Sequence, residues 1–296
     1  MKKQLILLLI FVLLVASVYV YFSIPQSKEK YFVQDGLVSY SNRPPVIYQK
    51  LARVIDDENR TTNKIYFESH RVKIYGLLSV PKTGPEKKPA FVFIPGAQVT
   101  KESGNDGVVK DLNELGFITL TLDTRGTGET LDKVNSFDED LLLFSNSQEP
   151  FQHKLIYDTV RAFDLLKSFP EVDSSKIYAG GESMGGRLAI ITAAIEPKIK
   201  GALVISSAGY KFPIQEKANV NEFLSSFDPD SYIELISPRL LIMIHGTNDT
   251  VIPLDYAKDT FLKAGEPKKF FEVSDGHGYN REEGKEILKR ELESWE

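Results

Sequence analysis

Five residues, Gly181-Glu-Ser-Met-Gly185, have the spacing of a turn that exposes a serine nucleophile. The flanking sequence predicts a strand over residues 176–180 and a helix over residues 186–195. A serine on such a turn has a strained backbone, and the glycine two residues to either side lets the strand and the helix approach closely. The helix N-terminus also offers unpaired N–H groups that favour developing negative charge. We therefore expect Ser183 to act as a nucleophile.

A nucleophilic serine needs a base, and a strand, turn and helix in this order predict that its partners follow as acid and then histidine. The chain has four histidines, of which His70 and His153 precede the serine. His245 ends an apolar run at 240–244 and is expected to close a buried strand. His277 lies in a glycine-flanked loop after the last predicted strand. We expect His277 to be the general base, although a histidine in a polar loop can also be merely solvated.

The acid should follow a buried strand between the serine and the histidine, where it can hold the far nitrogen of the imidazole. Asp249 fits this requirement best, because it comes directly after an apolar run and before a predicted helix. Asp228 is the second choice, since it also reads as a turn or cap residue. Asp255 and Asp259 fall within a predicted surface helix, and Asp275 is too close to the histidine in sequence. The sequence therefore predicts a triad of Ser183, Asp249 and His277.

Further motifs resemble those of α/β-hydrolases, within which the chain is similar to the prolyl oligopeptidase-like, acetyl xylan esterase-like and dienelactone hydrolase-like branches. The resemblance covers residues 64–296. Besides the nucleophile turn, four segments carry it. Residues 91–98 match the third strand and oxyanion loop, and residues 122–128 match the loop after the fourth strand. Residues 172–177 match the turn into the nucleophile strand, and residues 246–253 match the acid loop. Esterases, peptidases, thioesterases and lactone hydrolases share these motifs, so they do not name a substrate.

The resemblance implies an oxyanion hole made of two backbone N–H groups. One belongs to Met184, which follows the nucleophile, and the other maps to Ala97 in the loop after the third strand. Gln98 is the alternative for the second group. Asp123 and Arg125 are interpreted as a structural pair that braces their loop.

The alternation of strand and helix patterns predicts an α/β-hydrolase fold, with a mostly parallel eight-stranded sheet and helices on both faces. The catalytic domain is expected to span 64–296. A small helical lid is possible at 210–238, where the apolar residues can equally be ordinary core. The strand patterns lie at 64–68, 72–80, 90–94, 117–122, 176–180, 201–206, 239–245 and 269–273.

The composition narrows the possible partners. The formal net charge is −5 with both signs well mixed, so we expect no nucleic-acid partner. The chain has no cysteine and four scattered histidines, so we expect neither disulfides nor a metal or other cofactor.

The N-terminus carries information about location. Residues 5–22 are uncharged and long enough to span a membrane, and Lys2 and Lys3 precede them. These basic residues predict a cytoplasmic N-terminus and a catalytic domain outside the membrane. The alternative for 1–22 is a signal peptide whose cleavage releases a secreted protein. Residues 23–63 are expected to form a tether and a segment that packs on the domain.

The leading expectation is a serine hydrolase that cleaves carboxylic esters or small amides through an acyl-enzyme. A first alternative is a serine peptidase of the prolyl oligopeptidase-like type, acting on short peptides. Residues 23–63 leave no room for the β-propeller that such enzymes carry, which favours an ester as substrate. A second alternative, from a different class, is a membrane-tethered binding module without catalytic activity.

Overall fold

The computed structural model describes residues 30–293. Residues 31–39 and the chain from Pro45 onward form one compact unit, which contains the candidate active site. Among the described residues, no helix is both long enough and apolar enough to cross a membrane. The predicted span at 5–22 lies outside them.

The structure is built on one large sheet and one hairpin. Strands β1 and β2 pair with each other, and the nine remaining strands form the main sheet in the order β11-β10-β9-β8-β6-β7-β5-β4-β3. The strands are β1 Lys30–Gln34, β2 Leu37–Ser41, β3 Tyr48–Asp56, β4 Arg60–Ser69, β5 Val72–Pro81, β6 Lys88–Ile94, β7 Ile118–Leu122, β8 Val172–Glu182, β9 Gly201–Ile205, β10 Leu240–Gly246 and β11 Lys268–Val273.

The main sheet divides into a parallel and an antiparallel part. Strands β6 to β11 are parallel to one another, whereas β3, β4 and β5 pair antiparallel with each other in turn, and β5 pairs antiparallel with β7. Strands β6, β7 and β9 are buried along their whole length, as expected when helices cover both faces of a parallel sheet. The carboxyl ends of the parallel strands therefore meet at one edge of the sheet, where ligands usually bind.

The prediction of eight strands was wrong, because the main sheet has nine. The missed strand is β3, which lies within the segment predicted to be a tether. Nearly all of its residues are exposed, so it lacks the alternation of buried and exposed positions by which strands are recognised. Two register shifts against β4 also break its regular pairing.

Helices cover both faces of the sheet, as predicted. On one face, α2 and α8 pack over a core that includes Phe91, Phe93 and Leu203. On the other face, α4 and α5 pack against each other and against β6 and β8. The helices are α1 Lys101–Gly104, α2 Val108–Glu114, α3 Phe137–Ser145, α4 Phe151–Leu166, α5 Met184–Ile195, α6 Ala218–Ser225, α7 Leu254–Leu262 and α8 Arg281–Leu292.

The insertion at 210–238 contains α6 and two short 3₁₀ turns. Phe223, Tyr232 and Ile233 within it are fully buried, so its apolar residues do form a packed core. Buried His153 on α4 joins the insertion to the first hairpin, because its ring nitrogens bond Ser226 Oγ at 2.7 Å and Tyr31 Oη at 2.8 Å. That the insertion is a mobile lid stays a prediction.

Candidate active site

Ser183 lies between the end of β8 and the start of α5, in a backbone conformation that few residues other than glycine adopt. Its φ is 54° and its ψ is −119°. There is no space for a side chain at Gly181 or at Gly185, which lie two residues to either side of Ser183. A β-carbon at Gly181 would lie 2.2 Å from the carbonyl oxygen of Gly185, and one at Gly185 would lie 1.9 Å from that of Ile94. The strained turn that the glycine spacing predicts is therefore present.

Hydrogen bonds from the neighbouring strand hold this turn. The Ser183 N–H donates to the Ile205 carbonyl at 2.9 Å, and the Ser207 hydroxyl donates to the Ser183 carbonyl at 2.7 Å. Ile205 is the last residue of β9, the strand beside β8, and Ser207 follows it two residues later. The serine is thus fixed by its backbone, which leaves its side-chain hydroxyl available for chemistry.

Asp249 and His277 contact each other across the loops that follow β10 and β11. His277 Nδ1 lies 2.8 Å from Asp249 Oδ2. The other carboxylate oxygen, Oδ1, accepts the N–H groups of Val251 and Ile252, each at 2.8 Å. The Asp249 side chain is completely buried, whereas the His277 side chain is 23% exposed. The arrangement fixes the carboxylate and lets solvent or substrate reach the imidazole.

The partners of Asp249 keep its carboxylate ionised. Burial alone would raise its pKa, but the N–H groups of Ile252 and Val251 and the His277 imidazole together hold the pKa of Asp249 below its usual value. An ionised acid that bonds Nδ1 selects the tautomer in which Nε2 is free to take up a proton.

His245 is the second imidazole beside this acid. Its Nε2 lies 2.8 Å from the Ile252 carbonyl oxygen and 3.3 Å from Asp249 Oδ2. Burial lowers the pKa of His245, so the ring is neutral at pH 7 and donates its Nε2 proton to the carbonyl. His245 is the last residue but one of β10, in the buried position that its sequence context predicts, and it also borders the acid, which sequence reasoning missed.

The loop that carries His277 is fastened next to the serine turn. Ser206 directly follows Ile205, whose carbonyl holds the Ser183 N–H. The Ser206 hydroxyl lies 3.0 Å from the carbonyl oxygen of Gly278 and 3.0 Å from its nitrogen. Because two successive residues bind the two loops, the serine and histidine segments lie side by side at the carboxyl edge of the sheet.

The backbone near the turn offers two N–H groups that could bind an oxyanion. Met184 is the first residue of α5, where an N–H has no partner within the helix. Among residues 30–293, neither the Met184 N–H nor the Ala97 N–H donates to another protein group. Gln98 is exposed and has a positive φ of 62°, which the turn after β6 requires.

Asp123 and Arg125 each have other partners and do not form a pair. Asp123 Oδ2 accepts from the buried Lys101 Nζ at 2.8 Å, and its Oδ1 accepts from the Lys101 N–H at 2.7 Å. Arg125 instead binds Asp158 and Asp132. Asp123 therefore ties the start of α1, which follows the oxyanion loop, to the end of β7.

Asp228, the second candidate for the acid, caps a 3₁₀ turn in the insertion. Its Oδ1 accepts from the N–H groups of Asp230 at 3.1 Å and of Tyr210 at 3.3 Å. This role as a cap is the one that its sequence context also indicates. The structure brings Asp249, not Asp228, to the histidine.

Glu182 is a residue near the site that sequence reasoning missed. Its carboxyl approaches Gly278, since a β-carbon at Gly278 would lie 3.3 Å from Glu182 Oε1. The available signal was a charged residue at the end of a buried strand and next to the nucleophile. No group of three or more histidine or carboxylate side chains within residues 30–293 is arranged to bind a metal ion.

Comparison with known proteins gives the family. The acetyl xylan esterase (AXE1) family profile matches residues 53–214, more than half of the chain. The chain belongs to the acetyl xylan esterase (AXE1) family. In this family member the matched range includes the serine turn and the oxyanion loop and ends before Asp249 and His277.

Individual relatives agree with this assignment. An uncharacterized protein, YfhR, of Escherichia coli O157:H7 is 29% identical over 210 residues, which is 69% of this chain and 68% of YfhR. The acetyl esterase Axe7A of Xylanibacter ruminicola is 30% identical over 140 residues, covering 44% of this chain and 31% of Axe7A. The solved acetyl xylan esterase from Paenibacillus sp. R4 superimposes with a TM-score of 0.73 at 19% identity, over 86% of this chain and 90% of that one. This AXE1 family member is thus a hydrolase of the esterase type with an α/β-hydrolase fold.

Proposed function

We propose that the protein is a serine esterase that releases short acyl groups, acetyl above all, from small-molecule esters. The observation that carries the proposal is the 2.8 Å contact between His277 Nδ1 and the buried Asp249 carboxylate, beside a serine on a strained turn. This is the arrangement that activates a hydroxyl nucleophile in serine hydrolases.

In the first half-reaction, Ser183 Oγ attacks the ester carbonyl while His277 Nε2 takes its proton. Asp249 stabilises the imidazolium that forms. The carbonyl oxygen becomes an oxyanion, which accepts hydrogen bonds from the Met184 and Ala97 N–H groups. When the tetrahedral intermediate collapses, His277 Nε2 donates its proton to the alcohol oxygen, and the alcohol leaves.

In the second half-reaction, water attacks the acyl-serine. His277 Nε2 now takes a proton from the water and returns it to Ser183 Oγ as the acid is released. His277 must be neutral at the start of both half-reactions, whereas Asp249 must stay ionised throughout. The lowered pKa of Asp249 provides this second condition down to acidic pH.

Ester cleavage is favoured over peptide cleavage by the family, since an acetyl xylan esterase and an acetyl esterase are among the relatives. An amide also requires more protonation of its leaving group than an ester does. A binding module without activity would not need an ionised acid fixed by two N–H groups against a partly exposed imidazole.

Labelling with a fluorophosphonate probe tests the proposal. The purified protein should be labelled at Ser183 and should hydrolyse p-nitrophenyl acetate far faster than prolyl p-nitroanilide. Ser183→Ala should lose both labelling and hydrolysis, whereas Ser145→Ala, which changes an exposed serine on α3, should keep both. An unlabelled but folded wild-type protein would favour a binding module, and faster anilide cleavage would favour a peptidase.

For its location, we propose an anchor at 5–22 with the catalytic domain outside the cytoplasmic membrane; the alternative is secretion after cleavage. The support is the uncharged run after Lys2 and Lys3. Protease added to intact spheroplasts should digest the domain, and full protection until lysis would reverse the orientation. An intact N-terminus in the membrane fraction would distinguish the anchor from a cleaved signal.

A further inference from the structure

Glu182 carries a carboxyl group next to the nucleophile that the proposed mechanism does not use. It is the last residue of β8, and its side chain is partly buried. Within residues 30–293 no group donates a hydrogen bond to this carboxyl. Partial burial of a carboxyl that has no donor is costly, because it removes part of the water that would otherwise bind the group. The group therefore has unused capacity to accept a hydrogen bond.

Glu182 lines a small pocket between the oxyanion loop and α2. The pocket has a volume of about 80 Å³, and its only charged lining residue is Glu182. Ser103 adds the one side-chain hydroxyl, while the rest of the lining is backbone of glycines and the apolar side chains of Phe93, Pro95, Val99 and Val108. A polar group that enters this pocket therefore meets essentially one strong acceptor.

Two close approaches place the pocket near the catalytic residues. Gly96 lines it, and a β-carbon at that position would lie 3.5 Å from Ser183 Cβ. On the other side, the Glu182 carboxyl approaches Gly278, the residue that follows His277. Because His277 Nε2 protonates the departing alcohol, the alcohol lies on the histidine side of the ester. The pocket is therefore on the side of the leaving group.

We propose that Glu182 determines leaving-group specificity, by accepting a hydrogen bond from a hydroxyl group on the carbon next to the one that carries the ester oxygen. This inference rests on the proposed esterase function. It predicts a preference for monoesters of alcohols that keep a free neighbouring hydroxyl over esters of simple or etherified alcohols.

The pocket is large enough for a hydroxymethyl group. Its volume of about 80 Å³ is several times the roughly 10–15 Å³ of such space that one water molecule needs. Burial raises the pKa of Glu182, and the nearby His277 opposes this rise. A hydroxyl can donate to the carboxyl in either protonation state, whereas a cation is held by charge only when the carboxyl is ionised.

A pair of matched acetates tests this proposal with the full-length protein. In 2-hydroxyethyl acetate the neighbouring oxygen is a donor, whereas in 2-methoxyethyl acetate it can only accept. The measurement is the ratio of the two kcat/KM values, which does not depend on the fraction of active protein. Wild type should prefer the hydroxy ester by about ten-fold, the value of one hydrogen bond to a charged group. Glu182→Leu should bring the ratio near one, and Glu182→Gln, which keeps an acceptor, should retain part of the preference.

Asp275→Asn is the matched control. It removes a carboxylate from the loop that carries His277, two residues before the histidine. Asp275 is exposed and does not line the pocket. This variant should keep the wild-type ratio. An unchanged ratio in Glu182→Leu, or an equal loss in Asp275→Asn, would overturn the proposal. If folded wild type cleaves neither acetate, the esterase function itself is wrong.

Discussion

Two carboxyl groups lie near His277, and their surroundings are opposite. Asp249 accepts two backbone N–H groups and the imidazole, and its pKa is lowered although it is completely buried. Glu182 accepts no hydrogen bond from residues 30–293, and burial raises its pKa. The same type of group is thus held in its charged form on one side of the site and desolvated without a partner on the other.

The difference indicates two kinds of role. Donors that are part of the protein prepare Asp249 for a task that is the same for every substrate, namely stabilising the imidazolium. An acceptor that the protein itself leaves without a donor is suited to a substrate that brings one, so its effect should depend on the substrate. Substitutions at the two positions should therefore differ in size, in substrate dependence and in the sign of their effect on stability.

The largest effect should come from Asp249→Asn. The amide cannot stabilise the imidazolium and favours the wrong tautomer of His277, so kcat for p-nitrophenyl acetate should fall about 10³- to 10⁴-fold. Steady-state kinetics measures this fall, and the secondary structure should be kept. Asp228→Asn is the control, because Asp228 also accepts two backbone N–H groups but caps a remote turn. Equal losses in the two variants would remove Asp249 from the triad.

The sequence was sufficient to select the residues that the structure places on the serine turn and on the loops after β10 and β11. Gly181 and Gly185 mark the turn in the sequence because only glycine fits there. A β-carbon added at either position would lie less than 2.5 Å from backbone atoms. Asp249 could be selected because it follows a buried strand and precedes the one histidine downstream. The contact between Asp249 and His277 joins residues 28 positions apart, however, and only the fold shows that it is made.

The sequence was insufficient wherever burial is not reflected in local composition. Strand β3 is exposed on both faces and resembles a polar linker, so the sheet was predicted one strand too small. Lys101 is charged yet completely buried, because Asp123 compensates it from a strand end 22 positions away. Glu182 resembles an ordinary exposed residue in the sequence, and only the fold shows that its carboxyl approaches Gly278 in the loop after β11.

An intermediate effect should come from Gly278→Ala. The added methyl group would lie 3.3 Å from Glu182 Oε1, and the φ of 112° is strained for alanine. We expect the displaced histidine loop to lower kcat/KM for p-nitrophenyl acetate about ten-fold, since small misplacements of catalytic groups are costly. Part of this loss in kcat/KM should come from contact between the added methyl group and the Glu182 carboxyl. The double variant with Glu182→Ala should therefore lose at least about three-fold less than the product of the single losses. Strictly multiplicative losses would show that the carboxyl and the loop do not interact.

The smallest effect should be on stability, where the two carboxyls should have opposite signs. The pKa of Glu182 is raised in the folded state, so the folded protein binds this proton more tightly than the unfolded chain does. Below the ordinary pKa both states are protonated and ionisation costs nothing; as the pH rises through the raised pKa, the cost of ionising a buried group appears. Glu182→Gln should therefore raise Tm by about 1–3 °C at pH 7.5 and lose this gain near pH 4. Asp249→Asn should lower Tm at pH 7.5, and its deficit should shrink on acidification, because the stability that a lowered pKa provides is fully present above the ordinary pKa and is lost as the pH falls through the lowered one. Thermal unfolding of both variants across this pH range measures the two trends.

A destabilised Glu182→Gln protein at pH 7.5 would mean that the carboxyl has a stabilising partner within the protein. It would then remove the reason for assigning that acceptor to a substrate.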